Sequence, residues 1–169
     1  MGYSTEFTGR FRLDRPLQLE HARYLHAFAD TRRVQRDAAR AEALIDRVRA
    51  AASLPVGVEG GYVVVRERDS ILNQDAPPRG QPGLYCQWRP SENQHGILWD
   101  GGEKFYNYVQ WLEYIIQHFL APWGYVLNGA VQWEGEEFGD TGVIQVVNNR
   151  VTTGETADGR DPAEWGEED

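Results

Sequence analysis

Residues 105–129 read FYNYVQWLEYIIQHFLAPWGYVLNG and place Phe105, Tyr106, Tyr108, Trp111, Tyr114, Phe119, Trp123 and Tyr125 within 21 positions. Turned through about 100° per residue, the segment gathers Phe105, Tyr108, Val109, Leu112, Ile115, Ile116 and Phe119 on one broad side, the pattern of a helix laid on a core. The spacing predicts a helix over about 103–120, with Asp100 as N-cap and a stop at Pro122 and Gly124. A second stripe, Asn107, Trp111, Tyr114 and His118, runs beside that side. Rings mixed with an amide and an imidazole can stack a planar ligand and bond its edge, or anchor an interface. A helix held between two apolar layers needs the same stripe for packing alone.

Working outward, EFTGRFRLDR (6–15) alternates Phe7, Gly9, Phe11 and Leu13 with polar neighbours and reads as a half-buried strand. Pro16 then opens a helix over about 17–30. In VQRDAARAEALIDRVRAAA (34–52), Val34, Ala38, Ala41, Ile45, Val48 and Ala52 recur at alternating spacings of four and three, which predicts one continuous amphipathic helix. Arg33, Arg36, Arg40 and Arg47 would share one flank of it, where guanidinium forks suit phosphates or an acidic partner as well as plain solvation. GYVVVRER (61–68) reads as a strand, and NQDAPPRGQPG (73–83) as a loop. LYCQWR (84–89) with GILWDG (96–101) forms one expected hairpin; YVLNGAVQWE (125–134) with GVIQVV (142–147) forms another around EGEEFGD. The order of elements is that of an α+β protein, a mostly antiparallel sheet with about three helices packed on one face. One domain is expected over residues 1–153, followed by an acidic, flexible tail at 154–169.

Composition narrows the function classes. No apolar run approaches the roughly 20 residues of a membrane span, and MGYSTEFTGRFRLDRP carries charges where a secretory signal is apolar. A single cysteine, Cys86, allows no intrachain disulfide and points to a reducing cytoplasm; between Leu84 and Trp88 on a strand it reads as a buried thiol. Net charge is −9, which argues against nonspecific binding to duplex nucleic acid. It is unevenly spread: residues 1–53 carry ten arginines against seven acids, whereas 154–169 carry seven acids and one arginine. Sixteen of the seventeen basic residues are arginine, a choice that suits planar anion recognition and that a GC-rich coding bias also produces.

Chemical motifs are sparse. Val58–Tyr62 has neither the glycine pattern nor the lysine of a phosphate loop, and His21, His26, His95 and His118 lack metal-ligand spacing. Neither a metal nor a cofactor is therefore expected. Glu134 and Glu136 superficially resemble the Glu-x-Glu element of ADP-ribosyltransferases, without that family's partner Arg and Ser-Thr-Ser elements. GQPGLYCQW (80–88) together with EKFYNYVQWLEYIIQHFLAPWGYVLNGAVQWEGE (103–136) resembles a family of small uncharacterised proteins of bacteria and their phages, over most of residues 3–151. That resemblance implies a phage or mobile-element context and no particular activity.

The expectation is a non-enzymatic cytoplasmic binding protein that sequesters or blocks a nucleotide-like ligand or a host protein; a phage-encoded inhibitor is one concrete form. Its expected contacts are Arg36, Arg40, Asn107, Trp111, Tyr114 and His118. The alternatives are a transferase using Glu134 and Glu136, and a structural protein that self-associates through its aromatic stripe.

Overall fold

The alternation along residues 5–13 builds strand β1 (Thr5–Leu13), which pairs antiparallel with β6 (Leu127–Gly135) from Thr5 opposite Gly135 to Leu13 opposite Leu127. The computed structural model describes residues 2–154; the expected acidic tail, from residue 155 onward, lies outside the described residues. Among these, the chain forms an α+β fold whose contacts divide into two compact units, one of residues up to Leu17 and from Gln87 onward, the other of Gln18–Cys86.

The first unit is a six-stranded antiparallel sheet in the order β4-β5-β1-β6-β7-β8. Strands β4 (Trp88–Pro90) and β5 (Gly96–Trp99) form the first expected hairpin, β6 and β7 (Thr141–Val147) the second. Strand β8 (Arg150–Gly154), which the sequence reading did not anticipate, extends the sheet beyond β7. Phe7, Phe11, Leu13, Leu127, Val131, Ile144 and Val146 are buried on one face. The glycine at position 142 is a packing requirement, because the Trp133 indole occupies the space a Cβ would need.

Helix α4 (Tyr108–Ile115) belongs to this unit and explains most of the ring excess. The Phe7 ring meets Trp88, Trp99, Phe105 and Tyr108 edge-on, with centroids 4.9–5.8 Å apart. The helix is shorter than expected and starts differently: Asn107, in the left-handed region (φ 57°, ψ 39°), precedes it. Asp100 instead turns its carboxylate to the Gly102 N–H at 2.8 Å, closing its own local turn. Past Ile115 the helix widens into a π turn over Ile116–Leu120, closed by Ala121 N–H on the Ile116 carbonyl at 2.8 Å. The wider turn leaves the consecutive Phe119 and Leu120 both fully buried.

The second unit departs most from expectation. Residues 34–52 are not one helix. They form strand β2 (Gln35–Arg36) and two five-residue helices, α2 (Ala38–Glu42) and α3 (Arg47–Ala51), after α1 (Leu19–Asp30). The physical reason is two aspartates. Asp37 accepts from Arg40 N–H and Asp46 from Arg49 N–H, so each starts a new helix where the heptad-like pattern would have continued one. The expected row of Arg33, Arg36, Arg40 and Arg47 therefore does not exist as a helix flank.

Nor is 61–68 a strand; in this unit β2 pairs with β3 (Ile71–Asn73). The segment begins in a turn and bends at Val65 and Arg68, and side chains satisfy its backbone where a neighbouring strand would. Arg33 donates to the Gly61 and Val63 carbonyls at 2.7 and 3.0 Å, and Arg36 to those of Val65 and Glu67 at 3.4 and 3.0 Å. The Tyr24 and Thr31 hydroxyls donate to the Tyr62 and Val64 carbonyls, and Asp46 accepts the Val64 N–H at 2.8 Å. Gln81 completes the arrangement by bonding both Arg33 and the Gly61 carbonyl. No helix among the described residues is long and apolar enough to cross a membrane.

Candidate functional site

Arg33 and Arg36 hold the carbonyls of Gly61, Val63, Val65 and Glu67, and the side chains over 65–68 alternate in exposure. Val65 and Glu67 are half-buried, whereas Arg66 and Arg68 are exposed. These two arginines line a groove of about 760 Å³ in the second unit, with Val34, Ile71 and Leu72 as its apolar part and Arg32, Arg36, Glu67, Asp30 and Tyr85 around it. A groove of this size lies within the range of small-molecule sites.

The four arginines of the groove fall into three states. Arg36, 4% exposed, is committed to structure: its Nη1 donates to the Glu67 carbonyl, to Glu67 Oε1 at 3.1 Å and to Ser70 Oγ at 2.7 Å. Burial lowers its pKa from the ordinary arginine value, a shift opposed by the Glu67 charge; an arginine still stays protonated. Arg32 is half-committed. Its Nε donates to the Gln74 carbonyl at 2.8 Å, its Nη1 to the Tyr85 hydroxyl at 3.1 Å, and its Nη2 lies 3.4 Å from Asp75. The guanidinium also sits 5.5 Å from the exposed Tyr85 ring.

Arg66 and Arg68 are the third state. Neither guanidinium is engaged by a hydrogen bond or ion pair among the described residues. The intervening Glu67 carboxylate is bonded to Ser70 and Arg36 and to neither Arg66 nor Arg68. The Ser70 hydroxyl at 2.6 Å, then backbone N–H groups and the Arg36 charge, hold its carboxyl below the usual glutamate range against a smaller opposing effect of burial. A rim of cationic forks, an exposed phenol and an apolar floor can neutralise an anionic group and pack a flat ring beside it.

The residues expected from sequence fall in both units. In the second unit, Arg36 and Arg40 both hold the 65–70 loop, Arg40 through the Asp69 carbonyl at 3.1 Å. Arg36 lines the groove with its guanidinium already engaged; Arg40, exposed on α2, is not among the groove-lining residues. In the first unit, Trp111 is fully buried and Tyr114 is 9% exposed. Their rings meet edge-on at 5.5 Å, and Tyr114 in turn lies 4.2 Å from the His118 ring. The stripe exists as a column of packed rings, of which only the half-buried His118 and the exposed Asn107 reach the surface. Burial lowers the His118 pKa.

Glu134 ends in the exposed row of β6, while Glu136, in the turn beyond it, accepts the Ser4 N–H at 2.6 Å. Cys86 is a buried thiol. Sequence reasoning missed Arg32, Arg66, Arg68 and Tyr85. The signal in sequence was the Arg66-Glu67-Arg68 run, two like charges, one on either side of an acid.

Comparison of the chain with protein-family models, with curated proteins and with solved structures finds no match.

Proposed function

We propose that this chain is a non-enzymatic binding protein, and that it takes an anionic, ring-bearing ligand of the nucleotide type in the arginine groove of its second unit. One observation carries the reading. Two exposed guanidinium groups stand unengaged on a groove whose other arginines are held in place. Charge-assisted hydrogen bonds to such groups contribute roughly 1.5–3 kcal/mol each, and a phosphate offers the oxygens for a bidentate fork. The Tyr85 ring and the Ile71 and Leu72 side chains supply the apolar and stacking partners that would distinguish a nucleotide from free phosphate. Sequestration or blocking of the ligand then follows from binding alone.

Calorimetric titration with ADP, and with inorganic phosphate as control, tests this. The wild-type chain binds ADP more tightly than phosphate. Arg66→Ser with Arg68→Ser weakens ADP binding at least about 100-fold, while the midpoint of thermal unfolding stays unchanged because neither side chain holds the fold. A wild-type titration without heat, or a double variant that binds as well, removes the proposal.

A further inference from the structure

The six-stranded sheet ends in two edges of different character. Strand β4 is three residues long, with Trp88 and Pro90 buried, and Pro90 has no N–H to offer a further strand. At the other end of the order, β8 carries five residues, Arg150, Val151, Thr152, Thr153 and Gly154. All but the half-buried Val151 are exposed, and a Cβ added to Gly154 would meet nothing within 4 Å. Proline, lysine and bulges are the usual means of closing an edge. β8 has neither proline nor lysine, its one charge stands beside the turn, and its pairing with β7 runs without a shift of register.

The turn before β8 fixes which groups the edge presents. Asn148 (φ 48°) and Asn149 (φ 70°) make a two-residue hairpin loop, the kind in which the Val147 carbonyl takes the Arg150 N–H. Arg150 therefore directs its main-chain groups at β7, and the alternation of an antiparallel ladder makes Thr152 and Gly154 do the same. The N–H and C=O of Val151 and Thr153 point the other way, to the open edge. An extended strand is the partner that matches donors and acceptors at this spacing.

The strand is also complementary to itself. Antiparallel pairing of two copies about Thr152 sets Val151 opposite Thr153 and Arg150 opposite Gly154. No like charges then face each other, and the longest side chain meets the one position without a Cβ. The β-branched Val151, Thr152 and Thr153 lie at the centre of the contact. This register joins the outward groups of Val151 to those of Thr153 in the other copy and leaves the two Thr152 side chains adjacent at the narrow, non-bonded position. A slip of one residue sets groups committed to β7 against the open ones and loses those bonds.

We propose that β8 pairs with β8 of a second copy of this chain, on a two-fold axis at Thr152, so that two six-stranded sheets continue as one. The contact is short, so the dimer is reversible. It uses residues of the first unit alone, and either it or the arginine groove can fail without the other. The test is sedimentation of the full chain from micromolar to millimolar concentration, and the expected result is a monomer–dimer equilibrium. Thr153→Pro removes an outward N–H and spares the ladder to β7, so it weakens the dimer about tenfold or more while the circular dichroism of the fold is retained. At position 152 the two Cα atoms lie about 4.5 Å apart, so Thr152→Cys treated with diamide forms a covalent dimer. Arg150→Cys, set opposite Gly154, does not, and the buried Cys86 takes no part. A chain monomeric throughout, a dimer untouched by Thr153→Pro, or cross-linking at 150 as readily as at 152 overturns the proposal.

Discussion

Arg33 is 1% exposed, and its guanidinium donates to the Gly61 and Val63 carbonyls and to Gln81 Oε1 while lying 4.1 Å from the Phe28 ring. Removing the side chain takes this donor from the buried Val63 carbonyl and Gln81 Oε1, while the Gly61 carbonyl keeps Gln81. Arg33→Ala should therefore cost about 2–5 kcal/mol of folding free energy, read as a lower urea midpoint. Arg33→Lys should recover little of it, because a compact ammonium cannot span carbonyls that a planar fork bridges. The contrast with Arg66 and Arg68 is the residue-scale lesson. Arginine-rich composition was legible, and so was the affinity of guanidinium for anions. Which arginines are already occupied was not, because their partners are main-chain carbonyls about 30 residues away in sequence.

Among elements, the two aspartates of 34–52 decide where the chain turns. Asp37 caps α2 and makes no further contact of comparable burial; Asp46, 5% exposed, caps α3 and also takes the Val64 N–H. Asp37→Ala should cost about 1 kcal/mol. Asp46→Ala should cost about 2–3 kcal/mol, since a buried N–H is orphaned as well. Equal losses in chemical denaturation would show that the Val64 contact contributes nothing. The hairpins, β1 and α4 were readable because each has a local period matched to its burial, as Phe7, Phe11 and Leu13 or Leu112 and Ile115 show. Residues 34–52 carried a helical period too, yet Asp37 and Asp46 stand at the starts of new turns, a capping signal that the alanine spacing masked. For 61–68 the β-branched content suggested a strand, but no strand forms; side chains rather than a neighbouring strand take its carbonyls. The ring stripe of α4 was real in spacing, with Trp111 and Tyr114 absorbed into packing.

At the scale of the whole molecule, charge is partitioned. Residues 18–86 hold ten arginines and nine acids and so carry +1, while the rest of the chain carries −10. Stability should respond to acid in two windows. His118, whose pKa burial lowers, is neutral in the fold. The unfolded chain binds that proton first, so stability is full above the ordinary histidine value of about 6.5 and falls as pH drops below it toward the lowered folded value. Denaturant midpoints should decline over that interval in the wild type and decline less in His118→Gln; identical slopes would assign the effect to other groups. The Glu67 contribution lies lower, being lost only as pH falls below the ordinary glutamate value of about 4.3 through its depressed folded value. The proposed function requires that the second unit offer free cationic groups beside apolar side chains. The most direct measurement is an amide chemical-shift titration of the isotope-labelled chain with ADP. Perturbations confined to residues 30–36, 66–74 and 85, and absent in Arg66→Ser with Arg68→Ser, are the predicted result. Unchanged spectra at millimolar ADP, or shifts centred on another part of the chain, would contradict it.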